Sequence, residues 1–268
     1  MTKIAFIIYR KWAFKILINI KKRFKKSKII LITNSKPEFN LKNLKLKKFQ
    51  INPNNNLLIH KILKENQIDV AFFYGWSWFI ENKVIQNFLC ICLHPSKLPQ
   101  FRGGSPIQNQ IFRGVKNSAI TVFRMNKKVD QGPIFMQKKF SLKSNLKKIF
   151  SNMSNIGTKI SIKLLNDFKK NKLKFYKQKG KISFYKRLTY KENQKNLTQL
   201  KKITYSQLYD QIRSLQFPYP GLKVKFKKKI IKIINVKKVK KKTKIKLNKN
   251  NYIELKDSYA KLLKYKVL

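Results

Sequence analysis

The sequence predicts an α/β protein: a Rossmann-like, mostly parallel sheet with helices on both faces, followed by a small β-rich C-terminal domain. Three observations carry this. The chain opens on an apolar run, an amphipathic stretch and a second apolar run, which is a βαβ beginning. A buried-type run, Phe88 to Leu93, breaks abruptly into a loop rich in proline and glycine. From about Asn171 the texture shifts to short β-like segments. The expected division is residues 1–170 for the first domain and 171–268 for the linker and second domain.

Ile4 to Tyr9 reads as a buried strand. Trp12 to Phe24 reads as a helix, with Trp12, Ile16, Ile20 and Phe24 on one stripe. Ile29 to Thr33 is the next strand. Pro37 to Asn56 is polar, a loop with room for one short edge strand. Leu57 to Gln67 is a helix and Ile68 to Tyr74 a strand, ended by Gly75. Trp76 and Trp78 follow, suited to core filling or to a flat slot for an aromatic ring. Pro106 to Arg113 is a helix with proline in its first turn. Ile120 to Met125 and Ile134 to Phe140 are strands around a Gly132-Pro133 turn. Leu146 to Phe168 is a long helix whose apolar positions recur at three-to-four spacing. Tyr205 to Leu215 is a helix. Val224 to Phe226, Lys229 to Val236, Lys242 to Leu247 and Tyr252 to Leu255 are strands of the second domain.

Composition sets outer bounds. With 64 Lys and Arg against 10 Asp and Glu, the formal net charge is +54. A polyanionic partner is one reading; a lysine- and asparagine-rich composition spread over every surface is the other. The lysines run along the whole chain, mixed with Asn and Ile, rather than forming one block. Two cysteines, Cys90 and Cys92, lie on one strand face, too close in sequence to bridge. No disulfide framework is expected, which suits the cytoplasm. Side chains two apart on a strand stand ~6.6 Å apart, so Cys90, Cys92 and His94 make a poor metal set, and no metal is expected. No leader peptide and no membrane span are expected. The spaced glycines of a dinucleotide site are absent after Tyr9.

The candidate chemistry lies where the run Phe88 to Leu93 ends. His94, one of two histidines, opens the proline loop, while His60 falls in a helix, on its surface. Asp130, one of few carboxylates, precedes the Gly132-Pro133 turn. By itself it could be an ordinary turn former.

The motif His94-Pro95-Ser96-x-Leu98-Pro99, then Arg102-Gly103, Pro106-Ile107-Gln108 and Asp130-x-Gly132-Pro133-Ile134, resembles the formyltransferases that use 10-formyltetrahydrofolate. The resemblance runs from about Ile4 to Lys170. It continues more weakly from Tyr185 to Leu222, through Ile212-Arg213-Ser214-Leu215 and Pro218-Tyr219-Pro220-Gly221. It implies 10-formyltetrahydrofolate as co-substrate, bordered by Tyr74, Gly75, Trp76, Val129 and Gln131. It implies Ser96, Leu98, Arg102 and Gly103 at the acceptor.

Formyl transfer is attack by a neutral amine on a formyl carbon. An oxyanion must be stabilised and a proton carried off. The resemblance puts His94 at the oxyanion or the leaving nitrogen. It makes Asp130 the proton relay that keeps His94 cationic. It also exposes a departure: the family's asparagine, two residues before the histidine, is Cys92 here. A thiol is a weak donor where an amide is a strong one. Cys92 therefore stands as weak donor, structural residue or nucleophile.

Two acceptors fit, along with one reading without catalysis. Only 47 residues follow Gly221, and Tyr185-Lys186-Arg187 resembles the linker of sugar-nucleotide N-formyltransferases. Both favour a nucleotide-linked amino sugar or similar small amine. The charge favours methionyl-tRNA. A folate-binding relic without turnover is the third reading. Oligomeric state is open.

Overall fold

The computed structural model describes residues 1–42, 44–189, 193–216, 219–226, 229–241 and 251–268. They fall into two units. The first comprises Met1–Gly103, Asn117–Ser141 and Lys147–Phe184; the second comprises Gly104–Lys116, Leu142–Leu146 and Tyr185–Leu268.

The first unit is built on a seven-stranded sheet. Its strands are β1 (Lys3–Ile7), β2 (Lys28–Asn34), β3 (Lys47–Ile51), β4 (Val70–Tyr74), β5 (Leu89–His94), β7 (Asn117–Arg124) and β8 (Ile134–Ser141), in the order β3-β2-β1-β4-β5-β7-β8. From β3 to β5 every pair is parallel. The last two pairs, β5 with β7 and β7 with β8, are antiparallel. The central strands are apolar on both faces because helices cover both: every residue of β4 is buried. The short edge strand allowed for in the polar loop is β3, paired with β2.

On one face lie α2 (Asn56–Glu65) and α3 (Asn82–Asn87). Their Ile59, Ile62, Leu63, Val84 and Ile85 pack on Ala5, Ile7, Ala71, Phe73 and Cys90. Asn55 caps α2, its side chain accepting from the Leu58 amide at 3.0 Å. The sequence reading contains no α3; six residues are too few for a periodic signal.

The other face meets α1 (Lys11–Arg23) and α5 (Leu146–Lys169). The buried stripe of α1 is Ala13, Ile16, Leu17 and Ile20, turned slightly from the expected one. Gly157 brings α5 close. A Cβ there would lie 2.7 Å from side-chain carbons of both Ile16 and Leu93. Lys21, Lys22 and Arg23 in the last turn of α1 complement its dipole.

The second unit holds α4 (Pro106–Phe112), α6 (Leu197–Lys201), α7 (Tyr205–Ser214) and a five-stranded sheet. The sheet order is β10-β11-β12-β14-β13, from β10 (Gln194–Asn196), β11 (Leu222–Phe226), β12 (Lys229–Val239), β13 (Tyr252–Glu254) and β14 (Tyr259–Val267). Asn196 with Gln199, and Thr204 with Gln207, form capping boxes on α6 and α7. Leu208, Ile212, Leu222, Val224, Ile231, Ile233 and Leu262 form its core. The expected strand Lys242 to Leu247 lies outside the described residues. The sequence reading does not include β14, whose outward positions are lysine-rich.

Candidate functional site

His94 is the last residue of β5, at the carboxyl end of the parallel strands, where open α/β sheets place their chemistry. The loop that follows is held along its length. Thr121 donates from Oγ1 to the Ser96 carbonyl at 2.6 Å, and Gln137 donates from Nε2 to the Leu98 carbonyl at 2.9 Å. Ser96 spends its hydroxyl on the Gln100 carbonyl at 2.6 Å. The Leu98–Pro99 peptide is cis. Phe101 takes a left-handed φ of 55° and donates its amide to Ser183 Oγ at 2.9 Å. Arg102 donates its amide to the Ser183 carbonyl at 2.9 Å, an edge contact between β6 (Arg102–Gly103) and the residue preceding β9 (Phe184–Tyr185).

The turn between β7 and β8 supplies Asp130. Its φ is 54°, a left-handed conformation that aspartate tolerates better than bulky residues. Gly132 is required by a close approach, because a Cβ there would sit 1.7 Å from the Arg124 carbonyl oxygen. The turn aims the carboxylate back at the proline loop. Asp130 Oδ2 accepts the Gly103 amide at 2.8 Å and lies 3.5 Å from His94 Nδ1.

The other ring nitrogen fixes the histidine. His94 Nε2 stands 2.7 Å from the Phe101 carbonyl oxygen. A carbonyl only accepts, so Nε2 carries a proton and Nδ1 is the nitrogen turned to the carboxylate. Both side chains are largely shielded, 7% and 13% exposed, so their interaction is weakly screened. Among the described residues Asp130 Oδ1 makes no hydrogen bond, leaving one carboxylate oxygen to accept a proton.

Cys92 sits one pleat below His94 on the same face. It packs on the apolar cluster Leu98, Phe123 and Ile134, with Met125 beside it. Burial pushes its thiol well above the ordinary value, and the Asp130 carboxylate pushes further; the Leu93 backbone only partly opposes them. A thiol held neutral in this way is a poor nucleophile at pH 7. Cys90, buried behind it, is pushed up to about 12, mainly by burial.

Of the residues singled out from sequence, His94, Asp130, Arg102, Gly103 and Cys92 come together. Val129 and Gln131 flank Asp130 with exposed side chains. Ser96 and Leu98 are buried, their side chains used to build the loop. Tyr74 stands apart. It pairs in register with Leu93, so it points to the face opposite His94. There its ring is fully buried and its hydroxyl lies 2.9 Å from Ser161 Oγ. Gly75 ends that strand with a φ of 70°. Trp76 and Trp78 pack on each other, centroids 4.9 Å apart, and on Tyr9. Among the described residues no three His, Cys, Asp or Glu side chains are grouped as a metal site.

The sequence reading does not contain Gln178. Its Oε1 accepts from Arg102 Nε at 3.2 Å and Nη2 at 2.7 Å. Its Nε2 donates to the carbonyls of Asp130 at 2.8 Å and Gly132 at 2.9 Å. No local pattern marks it, since these partners lie 46 to 76 positions away.

A shielded His–Asp pair stands at the carboxyl end of a central strand of an open α/β sheet. Residues 8–153 match the formyl transferase family, more than half of the chain, and the protein belongs to that family. The methionyl-tRNA formyltransferase of Thermosipho melanesiensis is 29% identical over 178 residues, 66% of this chain and 56% of that protein. The chain thus matches about half the length of this curated relative. Two solved structures share the fold. Methionyl-tRNA formyltransferase from Clostridium thermocellum superposes with a TM-score of 0.67 at 22% identity, covering 100% of this chain and 99% of that one. A 4-N formyltransferase from Francisella tularensis gives 0.69 at 18% identity, covering 84% and 93%.

Proposed function

We propose that the protein transfers the formyl group of 10-formyltetrahydrofolate to the amine of methionyl-tRNA. The observation that carries the transfer is the His94–Asp130 pair, set 3.5 Å apart within the family's motif. The amine attacks the formyl carbon, a C–N bond forms, and the carbonyl oxygen becomes an oxyanion. Asp130 takes the amine proton on Oδ1 through water. His94 stabilises the negative charge as it develops by passing its Nε2–H bond from the Phe101 carbonyl, which holds it in this structure, to the oxyanion. Collapse of the intermediate breaks the bond to the folate nitrogen, which takes up the proton that Asp130 accepted from the amine, passed back through the same water, and leaves as tetrahydrofolate. Cys92 supplies the oxyanion with a weak S–H donor only. Val129 and Gln131 border the folate, and Arg102 and Gly103 face the acceptor.

Methionyl-tRNA is favoured as acceptor by the curated relatives, which carry that name. The fold of the Clostridium enzyme also extends over the whole chain, the C-terminal unit included. The net charge of +54 suits a polyanion. The small-amine reading draws on a likeness of fold that covers 84% of the chain. It is the weaker of the two.

The test is release of tetrahydrofolate from 10-formyltetrahydrofolate on addition of methionyl-tRNA or of a nucleotide-linked amino sugar. Turnover with the tRNA alone is expected. Turnover with the sugar alone would reverse the assignment, and folate binding without turnover on either would favour the relic. A salt series adds a second readout: phosphate-driven affinity falls linearly in log K against log salt.

A further inference from the structure

We infer that Gln178 is a positioning residue for the formyl transfer proposed above: it holds the Asp130 carboxylate in register with His94. Its four hydrogen bonds tie together the two segments whose spacing sets that pair. On one side it grips the guanidinium of Arg102, a residue 8% exposed whose pKa burial lowers despite the opposing charge of Asp130. Arg102 is followed by Gly103, whose amide holds Asp130 Oδ2. On the other side Gln178 binds the carbonyls of Asp130 and Gly132, the two ends of the left-handed turn. One side chain thus fixes both the backbone that bears the carboxylate and the loop that clasps it.

Only a primary amide satisfies this set. The guanidinium offers donors and needs an acceptor; the two carbonyls need donors. A carboxylate at 178 would keep Arg102 yet face two carbonyl oxygens with no proton to give. The contact can therefore be cut on one side alone. Gln178→Glu leaves the Arg102 tie and breaks the Asp130 tie. Gln178→Met, similar in volume, breaks both.

Steady-state kinetics of the full-length protein with 10-formyltetrahydrofolate and methionyl-tRNA test this. Loss of alignment by about 1 Å costs ~10²-fold, so both variants should lose about that factor in kcat with KM changed little. On an Asp130→Asn background Gln178→Glu should cost nothing more, because the residue acts through Asp130. Hydrogen exchange at the Gly103 amide gives a readout that needs no turnover: it should speed up in both variants as the carboxylate drifts. Wild-type kcat in Gln178→Glu, or unchanged Gly103 exchange, would overturn the assignment. A lower Tm with kcat intact would reduce Gln178 to a structural tie. If Gln178→Met does not fold, Gln178→Glu decides alone. If the wild type turns over neither substrate, the acceptor reading fails and the exchange experiment still judges Gln178.

Discussion

Nδ1 of His94 lies 3.5 Å from Oδ2 of Asp130, although 36 positions separate them in the chain. The two come from β5 and from the turn after β7, neighbouring strands of one sheet. If they act as a unit, removing either should cost most of the rate, about 10²–10⁴-fold in kcat for an acid–base group. His94→Ala with Asp130→Asn should cost little more than either alone. Fully additive losses would mean that the two groups work separately.

Cys92→Asn restores an amide where the family has one. A single oxyanion donor is worth about 10²–10³-fold, which bounds the gain in kcat. A cost in stability accompanies it, about 1–3 kcal/mol where the amide is left unpaired against Leu98, Phe123 and Ile134. Alkylation offers an independent check on the thiol. With its pKa raised by burial and by Asp130, Cys92 should react slowly with iodoacetamide at pH 7 and faster as pH rises. Fast alkylation at pH 7, with loss of turnover in Cys92→Asn, would point to a nucleophilic thiol.

In the second unit Arg213 and Asp210 form a buried pair, 2.7 Å from Nε to Oδ1, with side chains 6% and 3% exposed. Arg213 also donates from Nη1 to the Leu142 carbonyl at 2.7 Å and the Ser144 carbonyl at 3.0 Å, while Lys116 bonds Asp210. Arg213→Met leaves the buried Asp210 carboxylate with Lys116 as its remaining cation and removes two hydrogen bonds to carbonyls, so it should cost about 3 kcal/mol in urea unfolding. Arg213→Met with Asp210→Leu should cost less than the single change. The reverse order would contradict a desolvation account.

Asp257 gives the second unit an acid-sensitive contact. Burial raises its pKa, but the Tyr205 amide, Lys238 and Ser258 outweigh burial and bring it down to about 2. A depressed carboxylate contributes stability above its unfolded value, near 3.8, and loses it as pH falls through about 2. With the side chain 34% exposed, screening reduces the contribution to about 1 kcal/mol. Asp257→Asn should therefore destabilise by that amount at pH 7, and the gap to wild type should close between pH 4 and pH 2. A gap that persists at pH 2 would show that charge is not its origin.

Much was legible along the chain because burial on both sides leaves continuous apolar runs and one-sided burial leaves a period. The runs at Ile4, Ile29, Ile68 and Phe88 became strands of one sheet, and the three-to-four spacing after Leu146 became α5. His94 and Asp130 stood out because scarce titratable groups lay beside proline and glycine turns, where regular structure must stop. Arg102 and Gly103 stood out through the motif that joins them.

By itself, then, the sequence determined the α/β class, the place where β5 opens into its loop, and the two residues that meet there. Tertiary structure alone decided the rest. Register put Tyr74 on the face away from His94, since paired residues share a face and the next residue takes the other. Packing of the segment after α5 brought Gln178 to Arg102 and Asp130, partners 76 and 48 positions away. Local pattern records which way a side chain points within its own element. It holds no record of which distant backbone carbonyl a side chain will reach, because that depends on how the elements pack.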